Sequence, residues 1–193
     1  MSRSLRLALI ATLGAGILHG CAIQPPAAEV THVSRPLMPA FELEGRIAAS
    51  DGNRAANGSL LWAHSPAMDE WTVMSPLGQI VAQLVSTPLG ARLLTADGTV
   101  QEDEDARTML PRLLGVSAPL DGLASWVQAS PRPGARVLSV DAIGRPARVS
   151  DAGWIIEYTE YLDVTPGAAP RRIDATWGDT RIRLIIDQWT PLT

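Results

Sequence analysis

Cys21 is the only cysteine in this 193-residue sequence, and its position restricts what its thiol can do. A lone thiol cannot form a disulfide within the chain, and once it carries a lipid it is not available for metal or redox chemistry. The thiol follows directly on the uncharged apolar run Leu7–Leu18, which Arg3 and Arg6 precede. This order indicates that Cys21 is modified at the end of an export signal.

Residues 1–20 have the order of a lipoprotein signal peptide. A basic start is followed by 12 apolar residues, fewer than the roughly 20 that a membrane-spanning helix needs. The ending Leu18-His19-Gly20-Cys21 resembles a bacterial lipobox, in which the cysteine takes a diacylglycerol and becomes the first residue after cleavage. His19 departs from this motif, because a small residue is the norm there. We therefore predict lipidation at Cys21, with Ala22 favouring delivery to the outer membrane; the alternative is an ordinary signal peptide with a chance cysteine.

Charge and motif content exclude several classes of function. The formal net charge is −4 at pH 7, which argues against nucleic acid as a partner and leaves membrane attachment to acyl chains. His32 lies in a proline-containing stretch, so His64 is the one histidine available for imidazole chemistry in the folded part. The sequence contains no nucleophile elbow, no glycine-rich phosphate loop and no His or Cys pair at metal spacing. We therefore predict that the protein is not an enzyme and binds neither a metal nor a cofactor.

Two turns carry a leucine at a position that usually holds a polar residue. Ser75-Pro76-Leu77-Gly78 and Thr87-Pro88-Leu89-Gly90 both fit a type I turn with leucine at the third position. Such a leucine either folds back onto the core or is presented to solvent. A presented leucine on a membrane-tethered protein would suit insertion or transfer, and the turn sequence alone leaves both alternatives open.

The elements that position these turns are mostly strands. Residues 21–40 are predicted to be a flexible tether, and residues 41–193 a single domain. Alternating apolar and polar residues, separated by turn-forming clusters, predict strands over 41–50, 57–64, 70–75, 79–86, 91–95, 135–141, 147–150, 154–162, 172–176 and 181–189. Asp97-Gly98 predicts a type I′ hairpin turn.

Two short helices interrupt the strands. The acidic run Glu102–Asp105 could bind a metal, but it better fits a helix start with Asp103 as the N-cap. The first helix carries the apolar stripe of Met109, Leu110, Leu113 and Leu114 and ends at Gly115. The second is predicted over Pro119–Val127. Strands wrapped around apolar helices predict a mainly β fold, an incomplete antiparallel β-barrel covered by short helices.

At this point the ordered motifs resemble one known family, the outer-membrane lipoprotein receptors named LolB. The resemblance starts at the lipobox and covers nearly the whole mature chain. Its motifs are Phe41–Ala48, Asn57–Trp62, Trp71–Gly78, the helical residues Leu113–Trp126, Gly144–Pro146, Gly153–Tyr161 and Arg181–Trp189. No single motif is diagnostic, and the specificity lies in the ordered set.

The resemblance implies a half-barrel that encloses an apolar cavity for acyl chains. It implies a monomer that accepts lipoproteins from the periplasmic carrier LolA and inserts them into the outer membrane. The receptor is expected to be anchored by its lipid in the inner leaflet of that membrane and to face the periplasm. The family's protruding-loop leucine falls on Leu77, between Pro76 and Gly78, so we expect Leu77 to be exposed. Leu89 has no family counterpart, and we expect it to be buried.

Strand alternation and helix stripes provide a set of expected cavity residues. They are Trp62, Trp71, Val73, Leu84, Leu110, Leu114 and Trp126. The periodicity of the sequence cannot distinguish a ligand cavity from a dry core, so a scaffold lipoprotein with a dry β core is one alternative hypothesis. A periplasmic hydrolase that uses His64 is another.

Overall fold

The computed structural model of the chain describes residues 30–116 and 122–192. The leader predicted over residues 1–20, the predicted lipidation site Cys21 and the start of the predicted tether lie outside these ranges. The described residues form mainly strands of one antiparallel sheet that does not close into a barrel, which confirms the predicted fold class.

The strands form where apolar residues alternate with polar ones. In the first strand, buried and exposed positions alternate from Phe41 to Ala49, and the strand has the predicted limits. The strands of the described residues are β1 (Phe41–Ser50), β2 (Ala55–His64), β3 (Asp69–Met74), β4 (Ile80–Thr87), β5 (Gly90–Thr95), β6 (Val100–Asp103), β7 (Arg136–Val140), β8 (Pro146–Asp151), β9 (Trp154–Tyr161), β10 (Pro170–Trp177) and β11 (Thr180–Pro191).

All described strands belong to one sheet with the order β6-β5-β4-β3-β2-β1-β11-β10-β9-β8-β7. The first and last strands of the chain's long meander, β1 and β11, pair at the centre of the sheet. At Gly45 the pairing register of β1 with β11 shifts, and a Cβ there would collide with the carbonyl of Ile185. The two edge strands, β6 and β7, are not neighbours in this order, so the described sheet stays open.

Two helices cover one face of the sheet in the described residues. Helix α1 (Ala106–Leu114) packs against β4, β5 and β6 through the predicted apolar stripe and ends at Gly115 in the left-handed conformation. Its N-cap is Asp105, whose side chain accepts from the Arg107 amide, so the prediction of Asp103 as the N-cap was wrong. Asp103 instead accepts a hydrogen bond from the Thr108 hydroxyl.

Helix α2 (Leu123–Trp126) is shorter than predicted over the part that the structure describes. Residues 117–121, which include the predicted start of this helix, lie outside the described ranges. The chain leaves α2 through turns and reaches β7. The predicted hairpin at Asp97-Gly98 is present between β5 and β6, but its type was predicted wrongly. Only Gly98 has a positive φ there, whereas a type I′ turn needs two such residues.

The meander places its turns alternately at two ends of the sheet. The turns at 51–54, 75–79 and 96–99 share one end with the β10–β11 turn, because each follows a strand that runs towards that end. The turns at 65–68 and 88–89 share the opposite end with the β9–β10 connection and with the entry into β1. Leu77 and Leu89 therefore lie at opposite ends of the molecule.

Residues 30–40, which belong to the predicted tether, contain neither helix nor strand but are fixed to the body. Val30 packs against the core, and the Val33 amide donates to the Gly144 carbonyl at 2.9 Å. We call residues 33–38 the N-terminal strap. Its hydrogen bonds join it to the chain that follows α2 and to the β9–β10 connection.

Candidate functional site

An apolar cavity lies between the sheet and the two helices. Its volume is only about 30 Å³, and all of its lining side chains are apolar. The lining residues are Ile47, Leu60, Trp62, Trp71, Leu110, Leu114, Leu123, Trp126, Val127, Ile173, Ala175, Ile182 and Leu184. A cavity of this size holds one or two water molecules at most, so the described conformation is closed.

Five of the seven predicted cavity residues line this space: Trp62, Trp71, Leu110, Leu114 and Trp126. Val73 and Leu84 are buried in the same core but do not line the cavity. Leu84 belongs to β4, against which α1 packs, so its side chain is part of the filled layer under that helix.

Sequence reasoning missed the lining residues of β1, β10 and β11, among them Ile47, Ile173 and Ile182. These positions alternate with exposed ones along their strands, and that pattern was visible in the sequence. It shows that a residue points inward but not whether a helix lies above it. The lining therefore depends on where the chain places α1 and α2.

A buried carboxylate holds α2 over the cavity. Asp151, at the end of β8, is 4% exposed and accepts from the Trp126 indole N–H and from Arg132, each at 2.7 Å. The Trp126 ring also packs against the fully buried Trp154, with ring centroids 5.2 Å apart. Asp151 thereby fixes both α2 and the chain just after it to the sheet.

Helices α1 and α2, which cover the cavity, are called the lid below. The strap holds the side of the lid that lies away from Asp151. The Arg35 guanidinium donates to the carbonyls of Gln128 and Ala168, and it lies 5.3 Å from the ring centroid of Tyr161. Gln128 is 4% exposed; its side-chain oxygen accepts from the Met38 amide at 2.7 Å. Burial lowers the pKa of Arg35 below its ordinary value, although an arginine remains charged at neutral pH.

The turn that carries Leu77 is a well-formed type I turn. The Gly78 amide donates to the Ser75 carbonyl, and the Ser75 hydroxyl accepts from the amides of Leu77 and Gln79. Gly78 has a φ of +81°, which an L side chain would resist. This geometry holds Leu77 outward with 88% of its surface exposed, as expected.

Leu89 is also exposed, at 98%, so the expectation that it is buried was wrong. Its turn repeats the same construction, since the Leu89 amide donates to the Thr87 hydroxyl and Gly90 has a φ of +138°. A turn of this kind points its third residue away from the sheet wherever no neighbouring loop covers it.

His64 lies in an aromatic corner at the end of β2. Its Nδ1 is 2.6 Å from Asp69 Oδ1, and the same oxygen accepts from the Trp62 indole N–H at 2.9 Å. Its ring packs against Phe41, with centroids 4.9 Å apart. The carboxylate of Asp69 therefore connects His64 to the wall of the cavity.

Within residues 30–116 and 122–192, no group of three or more His, Cys, Asp or Glu side chains is placed to hold a metal ion. The same ranges contain no helix with the length and apolar character that crossing a membrane requires.

Comparison with known proteins decides the family. The family described as outer membrane lipoprotein LolB matches residues 39–189, which include every residue that lines the cavity. The chain belongs to this LolB family. It is 49% identical over 183 residues to the outer-membrane lipoprotein LolB of Azoarcus sp. strain BH72, covering 95% of this chain and 94% of that protein.

Other LolB relatives agree along the same length. Identity is 36% over 187 residues with the LolB of Thiobacillus denitrificans, covering 95% of this chain and 97% of that one. Among solved structures, a LolA superfamily protein from Nitrosomonas europaea superposes with a TM-score of 0.50 at 8% identity, covering 82% of this chain and 89% of that one. At that identity the similarity shows a shared fold alone.

Proposed function

We propose that this LolB family member is an outer-membrane lipoprotein receptor that carries its own lipid on Cys21. It accepts lipoproteins from the periplasmic carrier LolA, holds their acyl chains in the cavity between sheet and helices, and inserts them into the inner leaflet of the outer membrane. It works as a monomer, without covalent chemistry or a cofactor. The observation that carries this proposal is the wholly apolar lining of the cavity.

The lining suits an acyl chain because the side chains that line the cavity are aliphatic or aromatic. Burying a methylene group is worth about 0.8 kcal/mol, so a chain of about sixteen carbons gains roughly 12 kcal/mol on leaving water. The closed cavity is far too small for such a chain. Binding therefore requires α1 or α2 to move away from the sheet. The polar contacts that hold α2, Asp151 on one side and the strap on the other, are those that must adjust.

Leu77 is proposed to act when the lipoprotein leaves for the membrane. An exposed leucine on a rigid turn can enter the interfacial region of a bilayer, where burial of its side chain contributes about 1.5–3 kcal/mol. Pro76 and Gly78 hold that side chain outward. A glutamate at the same position would resist entry, because a charge is costly in hydrocarbon.

The test uses the soluble domain with Cys21 replaced and LolA loaded with a lipoprotein. Three forms are compared: the otherwise unchanged domain, Leu77→Glu and Leu89→Glu. Each is scored for uptake of the lipoprotein and then for its delivery to liposomes. Leu89→Glu is the matched control, since its turn has the same residues Pro-Leu-Gly and an equally exposed leucine at the other end of the sheet.

We expect the unchanged domain and Leu89→Glu to take up and deliver the lipoprotein. Leu77→Glu should take it up but fail to deliver it. If the unchanged domain takes up no lipoprotein, the receptor function is wrong. If Leu77→Glu delivers as well as Leu89→Glu, the role of the turn is wrong while uptake by the cavity stands.

The alternative is a non-catalytic envelope scaffold with a dry β core, and the small volume of the closed cavity favours it. The two functions differ in what the cavity can bind. A receptor should bind an apolar fluorescent dye that a lipidated peptide displaces, whereas a scaffold with a permanently filled core should bind neither.

A further inference from the structure

The three tryptophans that line the cavity differ in how their indole N–H groups are satisfied. Trp62 donates to Asp69 at 2.9 Å, and Trp126 donates to Asp151 at 2.7 Å. Trp71 is 5% exposed, and its Nε1 is buried without a hydrogen-bond partner in the described structure. This is the single buried side-chain nitrogen or oxygen of the described residues that lacks one.

A buried donor without an acceptor is rare in folded proteins, because the donor loses its water and gains nothing in return. A phenylalanine would fill much of the same space without that cost. Acceptors are present on the same strand, since Glu70 adjoins Trp71 and Asp69 lies two residues before it, yet both carboxylates bond to other groups. The unused donor thus points to a ligand that brings its own acceptor.

We infer that the Trp71 indole N–H donates to an ester carbonyl of the lipid that enters the cavity. This assignment rests on the proposed function and specifies which part of the lipid the cavity recognises. A diacylglycerol on a lipoprotein carries ester carbonyls at the head of its chains, whereas the chains themselves offer no acceptor. The hydrogen bond would therefore fix the depth to which the chains enter.

The position of Trp71 in the sheet indicates the direction in which the acyl chain lies in the cavity. Trp71 pairs with Trp62, which pairs with Leu43 of β1. The far end of the lining is at Ile182, which pairs with Ala49 of β1. Ala49 lies six residues after Leu43, which is about 20 Å along the strand. A carbonyl at Trp71 places the polar head of the lipid near the 65–68 turn and directs the hydrocarbon towards Ile182.

The experiment compares two soluble probes that differ only at the linkage: a diacyl lipopeptide with ester carbonyls and its dialkyl ether analogue without them. Affinities are measured with the soluble domain in its unchanged form, as Trp71→Phe and as Trp62→Phe. We expect the unchanged domain to prefer the ester about fivefold to tenfold, as one neutral hydrogen bond allows. Trp71→Phe should bind the ester and the ether analogue with equal affinity, whereas Trp62→Phe should keep the preference for the ester.

The outcomes separate this assignment from the proposed function. If the unchanged domain binds ester and ether equally, or if Trp71→Phe keeps the preference, the assignment is wrong and the receptor function stands. If it binds neither probe, both are wrong. The preference of the unchanged domain is measured without any variant, so its absence refutes the assignment even if Trp71→Phe does not fold.

Discussion

The strap gives the sharpest prediction about stability, because a single side chain donates four hydrogen bonds from the strap to the body. Arg35 donates two hydrogen bonds to the Gln128 carbonyl at 3.0 and 3.2 Å, one to Ala168 at 2.6 Å and one to Pro166. Its guanidinium also lies over the Tyr161 ring. The change Arg35→Met removes all of these and keeps a side chain of similar length.

The expected loss follows from these contacts. A net contribution of about 1 kcal/mol for each of the two half-buried carbonyls, Gln128 and Ala168, and about 0.5–1 kcal/mol for the ring contact gives a total of about 2.5–3 kcal/mol. For a domain of this length such a loss lowers Tm by about 5–12 °C. The strap should also open locally, so the amides of Met38 and Val33, which donate to Gln128 and Gly144, should exchange faster.

The assay is urea unfolding of the soluble domain together with amide hydrogen exchange. Arg46→Met serves as the control, because Arg46 forms an ion pair with Asp187 that is exposed to solvent and contributes little to stability. We expect Arg35→Met to cost clearly more than Arg46→Met and to accelerate exchange only in the strap and its partners. Equal losses in the two variants, or unchanged exchange at Met38, would refute the idea that Arg35 holds the strap.

Three further predictions follow from single contacts. Trp126→Phe should cost about 1–3 kcal/mol in urea unfolding, because it leaves the buried carboxylate of Asp151 with one donor fewer; no loss would contradict the lid contact. Gly45→Ala should cost about 1–3 kcal/mol, since its Cβ would collide with a carbonyl of β11; full stability would contradict that close approach. Burial raises the pKa of Tyr161 to about 12 and that of Tyr158 further, so their contribution to stability is intact below pH 10 and lost as the pH rises towards 12. These are the only tyrosines, so ultraviolet absorbance should show no tyrosinate in the folded protein at pH 10, and its appearance there would contradict their burial.

The alternation of apolar and polar residues was sufficient to predict a strand where one face of that strand is buried. The limits of β1 were predicted to the residue, because alternation from Phe41 to Ala49 has one solution in a half-buried strand. The turn around Leu77 was predicted from its own residues, but the exposure of the leucine was not. Exposure depends on whether a distant loop covers the turn, which is why Leu89, in the same kind of turn, was assigned to the wrong environment.

The strap shows why other parts of the candidate site could not be predicted. Proline and a low content of apolar residues suggested a flexible tether over residues 21–40. The contacts that fix Arg35 lie 93 and 133 residues further along the chain, so no local pattern records them. The same holds for the cavity, where the pairing of Trp126 with Asp151 across 25 residues decides which inward residues lie beneath a helix.

On the proposed function, small differences in affinity between the two cavities determine the direction in which an acyl chain is transferred. An acyl chain that passes from one apolar cavity to another gains little from the hydrophobic effect, because it leaves water in neither step. Opening the lid, in contrast, exposes side chains worth about 1.5–3 kcal/mol each, or about 10 kcal/mol for Leu110, Leu114, Leu123, Trp126 and Val127 together. The entering chain covers those side chains again and offsets most of that cost. The difference in affinity between the two cavities then depends on small polar contributions, such as the hydrogen bond that the Trp71 indole N–H can donate. A modest difference of this kind is enough for transfer without a nucleotide.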